Sequence, residues 1–300
     1  FDRDGKFLKK FEARGNGPDE YFMLCFLAAD PVSKKILVAD DVVRKIFIFD
    51  ELLNLEHVVK VDFAPKQVIA FRDDMILRYE NDNKEQYQDS LLRDYDLHWI
   101  DLKGDVVQGM IRNRTPKYGL SFLSASGYLD NGDILYYPTL GDTVYRVAVS
   151  ERTVSPAYII ESGDEDVKLL NDEQRREMDP NAELPEYEKR NYFFPVEFFN
   201  VGSHILLRSG MDDMYLYSKN SGNAIRYDKT LENMSGDRTF DYLTSIIYAC
   251  DGDWCYGPHH AITLQYMAKD YGFSGKYKAM IDSMETDANL FLACFKVKDF

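Results

Sequence analysis

Between Gly15 and Val61 the apolar positions fall into four runs, Phe22–Ala29, Lys35–Ala39, Lys45–Phe49 and Leu55–Val61, each the length of a β-strand. The breakers between them are Asp30-Pro31-Val32-Ser33, Asp40-Asp41-Val42-Val43-Arg44 and Asp50-Glu51-Leu52-Leu53-Asn54. Such short polar or mixed stretches suit the tight connections of antiparallel strands. The pattern then returns. Val68–Phe71, Met75–Tyr79, Tyr95–Leu102 and Val106–Ile111 make a second set, and Leu120–Ser124, Ile134–Tyr137, Thr143–Val149 and Pro156–Ile160 a third. Phe194–Phe199, Ile205–Arg208, Met214–Tyr217 and Ala224–Tyr227 make a fourth. A fifth set begins at Tyr242–Tyr248 and Trp254–Tyr256, is interrupted, and resumes at Leu290–Val297. A four-strand repeat of roughly 40–45 residues predicts an all-β fold, a β-propeller of four-stranded antiparallel blades, with about five blades encoded in this chain.

The two ends complement each other. The fifth set lacks a last strand, while Lys6–Phe11 is strand-like and follows the turn Asp2-Arg3-Asp4-Gly5 with no strands before it. Phe1–Phe11 is therefore expected to be the outermost strand of a composite blade, or of a blade whose inner strands come from upstream residues. Two stretches leave the β pattern. In Asp164–Met178 acidic residues lead and Arg175 and Arg176 follow, the charge order a helix dipole favours. Tyr277, Met280, Ile281 and Met284 have helical spacing. The chain thus reads as a single propeller domain over 1–300, with helical insertions near 161–190 and near 275–286.

Composition narrows the functional classes. The chain of 300 residues carries 36 basic and 51 acidic side chains, a net charge of −15, and such a field repels phosphate backbones and anionic membrane surfaces. Nucleic acid is not an expected partner. Residues 161–190 alone hold 11 acidic against 5 basic side chains, a solvated face rather than a site. Among the four cysteines, Cys25 and Cys294 sit in apolar runs and read as small core residues. Cys250 and Cys255 flank Asp251-Gly252-Asp253-Trp254. If Gly252 and Asp253 form a two-residue loop, the two cysteines face each other as a non-hydrogen-bonded pair, compatible either with a disulfide or with two free thiols on adjacent strands.

Three segments together carry a family resemblance: Phe1-Asp2-Arg3-Asp4-Gly5-Lys6-Phe7, Arg14-Gly15-Asn16-Gly17-Pro18-Asp19-Glu20-Tyr21 and Lys45-Ile46-Phe47-Ile48-Phe49-Asp50. Gly141–Val147 and Asn289–Val297 extend the match to nearly the whole chain. This combination resembles the six-bladed, NHL-repeat-like β-propellers of gut anaerobic bacteria, whose members are mostly uncharacterised. The resemblance implies an exported protein of the cell envelope or periplasm, with membrane attachment only through an upstream lipid anchor. It implies no reaction.

Candidate chemistry gathers where loops share a face. Because strands alternate in direction, the turn leading into each blade and the loop between its second and third strands emerge on the same side. In the first blade that side offers Arg14, Asn16, Asp19, Glu20 and Tyr21, with Asp40, Asp41 and Arg44. The ligand-binding candidates there are Arg14, Asn16, Asp41 and Arg44. A second candidate set, Trp254, Tyr256, His259 and His260, combines aromatic faces for stacking with imidazoles for acid–base work. His57, His98 and His204 stand singly on strands and read as satisfied surface or core residues.

No metal site is predicted, since Cys255 and His259 lack a second ligand pair. There is no nucleophile elbow and no phosphate-binding glycine loop. Asp94/Asp96, Asp212/Asp213 and Asp251/Asp253 each fit a turn. The expected function is a non-catalytic module binding a glycan, a peptide or an envelope protein, without cofactor. Two alternatives stand beside it. One is a calcium-dependent hydrolase or lactonase, or a polysaccharide lyase, on the same scaffold. The other is a purely structural ring.

Overall fold

The computed structural model describes residues 6–65, 67–79, 87–112, 126–129, 131–138, 142–161, 168–169, 192–193, 195–209, 213–228, 239, 243, 247, 249–270, 272–285 and 291–297. The fold is an all-β propeller arrangement of five blades. The first blade is β1 (Phe26–Asp30), β2 (Lys35–Asp40), β3 (Lys45–Phe49) and β4 (Leu55–Lys60), hydrogen-bonded in chain order. The second is β5 (Val68–Arg72), β6 (Met75–Tyr79), β7 (Tyr95–Asp101) and β8 (Val106–Arg112), with a short helix α1 (Ser90–Asp94) before β7. The third comprises β9 (Ser126–Tyr128), β10 (Ile134–Tyr136), β11 (Thr143–Ala148) and β12 (Thr153–Ile159). A two-stranded parallel pair, β13 (Lys168–Leu169) and β14 (Tyr192–Phe193), precedes the fourth blade. That blade is β15 (Pro195–Val201), β16 (His204–Ser209), β17 (Asp213–Ser218) and β18 (Ala224–Asp228). The fifth has three strands among the described residues, β19 (Ala249–Asp251), β20 (Trp254–His259) and β21 (Phe291–Lys296). Helices α2 (Ala261–Asp270) and α3 (Lys276–Asp282) lie between its last two strands.

The first four blades are apolar on both faces, and the packing of successive blades against one another forms the core. Leu37, Ala39, Ile46 and Ile48 of the first blade pack on Val68, Phe71, Ile76 and Ile100 of the second. Ile69, Leu77, Leu97 and Trp99 meet Ile134, Tyr136 and Val147 of the third. Leu135, Tyr137 and Val144 continue onto Phe198, Ile205 and Leu207 of the fourth, and Val201, Leu206 and Met214 onto Cys255 of the fifth. This explains why β3 reads Lys-Ile-Phe-Ile-Phe and is buried throughout, where a strand with one wet face would alternate.

The acidic breakers work as turns. Oδ1 of Asp30, Asp40, Asp50 and Asp101 each accepts the backbone N–H two residues on, at 3.0, 3.0, 2.9 and 2.9 Å. An aspartate at a strand end thereby builds its own reversal. Asp30 also ties two blades together. Its Oδ2, buried, accepts the Phe71 N–H at 2.9 Å and pairs with the Arg72 guanidinium at the base of β5.

Several expectations change. Lys6–Phe11 forms no strand. Instead Phe11 packs on the first blade, its ring centroid 4.8 Å from that of Phe49 and 5.6 Å from that of Tyr21. The outer face of β3 is apolar through Phe47 and Phe49, and this cover competes with any pairing to β21. Leu120–Ser124 lies outside the described residues, and the strand paired with β10 is Ser126–Tyr128. Of the helix expected over Asp164–Met178, Lys168–Leu169 is a parallel strand and the rest lies outside the described residues. In the expected strand Tyr242–Tyr248, Leu243 is helical, residues 242, 244–246 and 248 lie outside the described residues, and the strand paired with β20 is Ala249–Asp251. The helix near 275–286 is α3, where Ile281 is buried and Met280 is 41% exposed. Helix α2 buries Ala261 and Leu264 while Ile262 stands 60% exposed, so its apolar residues do not fall on one face, and it was not among the expected elements.

Candidate functional site

The turn that leads into the first blade is held from both sides. Gly15 N–H donates to the Tyr21 carbonyl at 2.8 Å and Tyr21 N–H to that of Ala13 at 2.9 Å, closing a compact loop. Within it the Gly17 N–H donates to Glu20 Oε2 at 2.7 Å. A Cβ on Gly15 would stand 2.1 Å from that same oxygen, which is why the position is glycine. From the blade side Lys45 Nζ donates to the carbonyls of Gly17 and Glu20 at 2.6 and 2.8 Å. Asp40 is fully buried, and its Oδ2 accepts the N–H groups of Phe22 and Met23 at 2.6 and 2.9 Å. The lead-in turn and the β2–β3 loop therefore do share a face and are fastened to one another.

Glu20, Lys45 and Asp40 are thus consumed in building the loop. Arg14, Asn16 and Arg44 remain exposed at its surface. Arg14 lies over the Phe22 ring at 5.8 Å, and Arg44 donates to the Asp62 carbonyl at 3.0 Å from a left-handed backbone at φ 54. Asp41 is half-buried, its N–H donating to Cys25 Sγ at 3.2 Å. Its Oδ1 is shielded and has no hydrogen-bond partner among the described residues. Cys25 is half-buried rather than deep core. Burial pushes its thiol pKa up to about 11, and it donates to the Ala39 carbonyl at 3.2 Å.

The fifth-blade candidates do not form one cluster. Trp254 and His259 are the two ends of β20, roughly 17 Å apart at strand rise, and they point to opposite faces of the sheet. Trp254 is 42% exposed beside the β19–β20 turn, with Lys296 Nζ 4.8 Å from its ring centroid. Tyr256 lies on the same face, its phenol pKa raised by partial burial and by the Asp251 carboxylate. His259 is buried, stacks on Phe291 at 5.7 Å, and has Nε2 3.2 Å from the Leu243 carbonyl. Burial lowers its pKa, so the neutral ring donates that hydrogen bond. It is a core residue, with no face free for a ligand. His260 is exposed and caps α2, its carbonyl accepting the Leu264 N–H at 3.0 Å.

Other sequence expectations resolve similarly. His57 is exposed on β4. His98 is buried with Nε2 3.0 Å from the Leu91 carbonyl, and His204 is buried beside the Ser203 hydroxyl at 3.2 Å. Cys294, expected in the core, is exposed on the Trp254 face. Among the described residues no group of three or more His, Cys, Asp or Glu side chains converges as a metal site, and no helix is long and apolar enough to cross a membrane.

With this geometry in place, a family model, the domain of unknown function DUF4934, matches residues 1–296. The chain belongs to that family. No curated protein sequence matches it. Among solved structures it is similar to a candidate exported protein of Bacteroides fragilis NCTC 9343, at 17% identity and TM-score 0.71, over 99% of this chain and 84% of the other. A DUF4221 member from Bacteroides vulgatus matches at 11% identity and TM-score 0.44, over 73% of this chain and 71% of the other. Virginiamycin B lyase from Staphylococcus aureus matches at 11% and 0.42, over 78% and 61%. The first likeness supports the propeller fold, and at these identities the family match is the only statement of kinship.

Proposed function

We propose that this DUF4934 protein is a non-catalytic binding propeller, exported to the cell envelope, whose ligand docks on the face formed by lead-in turns and β2–β3 loops. A glycan or a peptide segment presenting hydroxyl or amide groups fits that face. One observation carries the reading: the loop's own charged groups, Glu20, Lys45 and Asp40, are spent on its architecture. Arg14, Asn16 and Arg44 are left exposed, and Asp41 Oδ1 keeps an unused acceptor. A rigid loop with outward donors and a shielded acceptor costs little ordering entropy on binding. Export is supported by the likeness to the Bacteroides fragilis protein.

A six-bladed ring is the finer arrangement we read for the family. Its support is the position of Phe11, which rests on Phe47 and Phe49 of the first blade much as Val61 and Phe63 rest on the second. Residues following a fourth strand occupy that place.

Glycan-array and peptide-array binding of the wild type and of an Arg14→Ala/Arg44→Ala double variant tests the function. Selective binding that the double variant loses, with its fold intact by circular dichroism, is the expected result. Equal binding by both would remove this face from consideration. A calcium-dependent turnover abolished by Asp41→Asn would overturn the non-catalytic reading.

A further inference from the structure

The β19–β20 hairpin turns through Gly252 and Asp253 and pairs Asp251 with Trp254, Cys250 with Cys255 and Ala249 with Tyr256. Cys250 and Cys255 are free thiols facing each other directly, with Sγ atoms 3.5 Å apart. They lie at the seam between the fourth and fifth blades, among Val201, Leu206, Met214 and Ile247. Cys255 is fully buried, whereas Cys250 is half-buried. The two are therefore inequivalent: Cys250 is partly open to solvent and Cys255 is not. Cys250 donates its thiol proton toward Cys255, which lowers the pKa of Cys255 and raises that of Cys250.

We propose that Cys250 and Cys255 are a thiol–disulfide couple that closes across the hairpin and locks its register at the seam between the fourth and fifth blades. This inference is independent of the ligand-binding reading. The oxidant is an external disulfide, such as oxidised glutathione or a disulfide-donating oxidoreductase. Cys250, the thiol partly open to solvent, first loses its proton to solvent against its raised pKa, and the thiolate so formed attacks one sulfur of R–S–S–R, forming Cys250–S–S–R and releasing RS⁻. The Cys255 thiolate then attacks Cys250 Sγ, forming the Cys250–Cys255 bond and releasing a second RS⁻. Two electrons pass to the external disulfide, and the two thiol protons end on the two RS⁻ groups. Closure needs side-chain rotation only, because the strands already hold the two residues in register.

The bond's effect is local rather than global. A loop of so few residues loses little chain entropy when closed, so the disulfide contributes little against complete unfolding. What it fixes is register. Among the described residues three pairs join β19 to β20, and a slip of one residue would exchange the faces of Trp254 and Cys255. A second contact guards the same register. The Asp253 carboxylate sits against Gly202 in the β15–β16 turn, where an added Cβ would lie 1.9 Å from Asp253 Oδ1. Gly202 has φ +52, a backbone that glycine adopts freely.

The test uses the whole chain, wild type and Cys25→Ser/Cys294→Ser, equilibrated with oxidised and reduced glutathione and then alkylated. In oxidising buffer the expected product is a monomer in which the peptide spanning Cys250 and Cys255 resists alkylation and is lighter by two hydrogens. Reductant should restore both thiols. Amide hydrogen exchange in β19 and β20 should be slower by about five-fold in the oxidised form, with β1–β4 unchanged. Full alkylation of both thiols under oxidising conditions would overturn the couple, as would a glutathione adduct on Cys250 that never resolves. Unchanged exchange after the bond has formed would overturn the register lock. If the double serine variant fails to fold, peptide mapping of the wild type gives the same readings.

Discussion

The first and fifth blades are built from the same repeat and are held in opposite ways. In the first, every connection is short, aspartates at the strand ends make the turns, and buried polar groups fasten the lead-in loop to the sheet. In the fifth, the first strand has three residues, and helices α2 and α3 fill the connection between β20 and β21. There Leu264, Phe273 and Ile281 provide an apolar pad, and Gln265 Nε2 donates to the Met284 carbonyl at 2.6 Å. Trp254 and Leu292 on the opposite face are 42% and 54% exposed. The contrast shows that a repeat can be kept either by polar turns that act locally or by an inserted apolar layer that acts through packing.

The largest test of the comparison is Asp40→Ala. It strands the Phe22, Met23, Val42 and Val43 N–H groups, and should cost about 3 kcal/mol in urea unfolding. An alanine cost near zero would show that the first blade does not depend on its polar lock. Gly202→Ala comes next, at about 2 kcal/mol, because it combines a left-handed backbone with the clash against Asp253. Hydrogen exchange should place that loss in β15–β16 and β19–β20.

A smaller effect is expected from pH. His259 is held neutral by burial, with its pKa lowered in the folded state. The unfolded chain therefore binds the proton first. Its contribution to stability is complete above the unfolded value of about 6.5 and is lost as pH falls toward the folded pKa. The melting temperature should accordingly decline between about pH 7 and pH 5, and His259→Asn should flatten that part of the curve. An identical decline in the variant would assign it to other groups. Smallest of all is Trp254→Ala, within about 0.5 kcal/mol, since an exposed cation–π contact with Lys296 contributes little. A larger loss by thermal melting would mean that the Trp254 face is covered in solution.

Much of this was legible beforehand because its causes are local. The strands of the first two blades fall where the apolar runs end, and the facing of Cys250 and Cys255 followed from counting back from Gly252 and Asp253. The candidate loop was legible as a location, since alternating strand direction forces Arg14 and Arg44 onto one side. Its inner wiring was not: Lys45, 25 residues beyond Glu20, reads as a strand residue until it is seen donating to the Glu20 carbonyl. The second candidate set misled because proximity in sequence was taken for proximity in space. Along a strand, residues 254 and 260 diverge, and adjacent side chains face opposite ways.

By itself the sequence determined the blades, their order and their turns, because strand periodicity and aspartate-built reversals act over a few residues. It also determined the net charge of −15. Only the tertiary structure decided which faces are covered. It laid Phe11 on Phe47 and Phe49 rather than beside β21, buried His259 against Phe291, and left Cys294 and Trp254 in solvent. A β-strand with two apolar faces carries no local signal of which neighbour will cover it, and that choice belongs to the assembled blades.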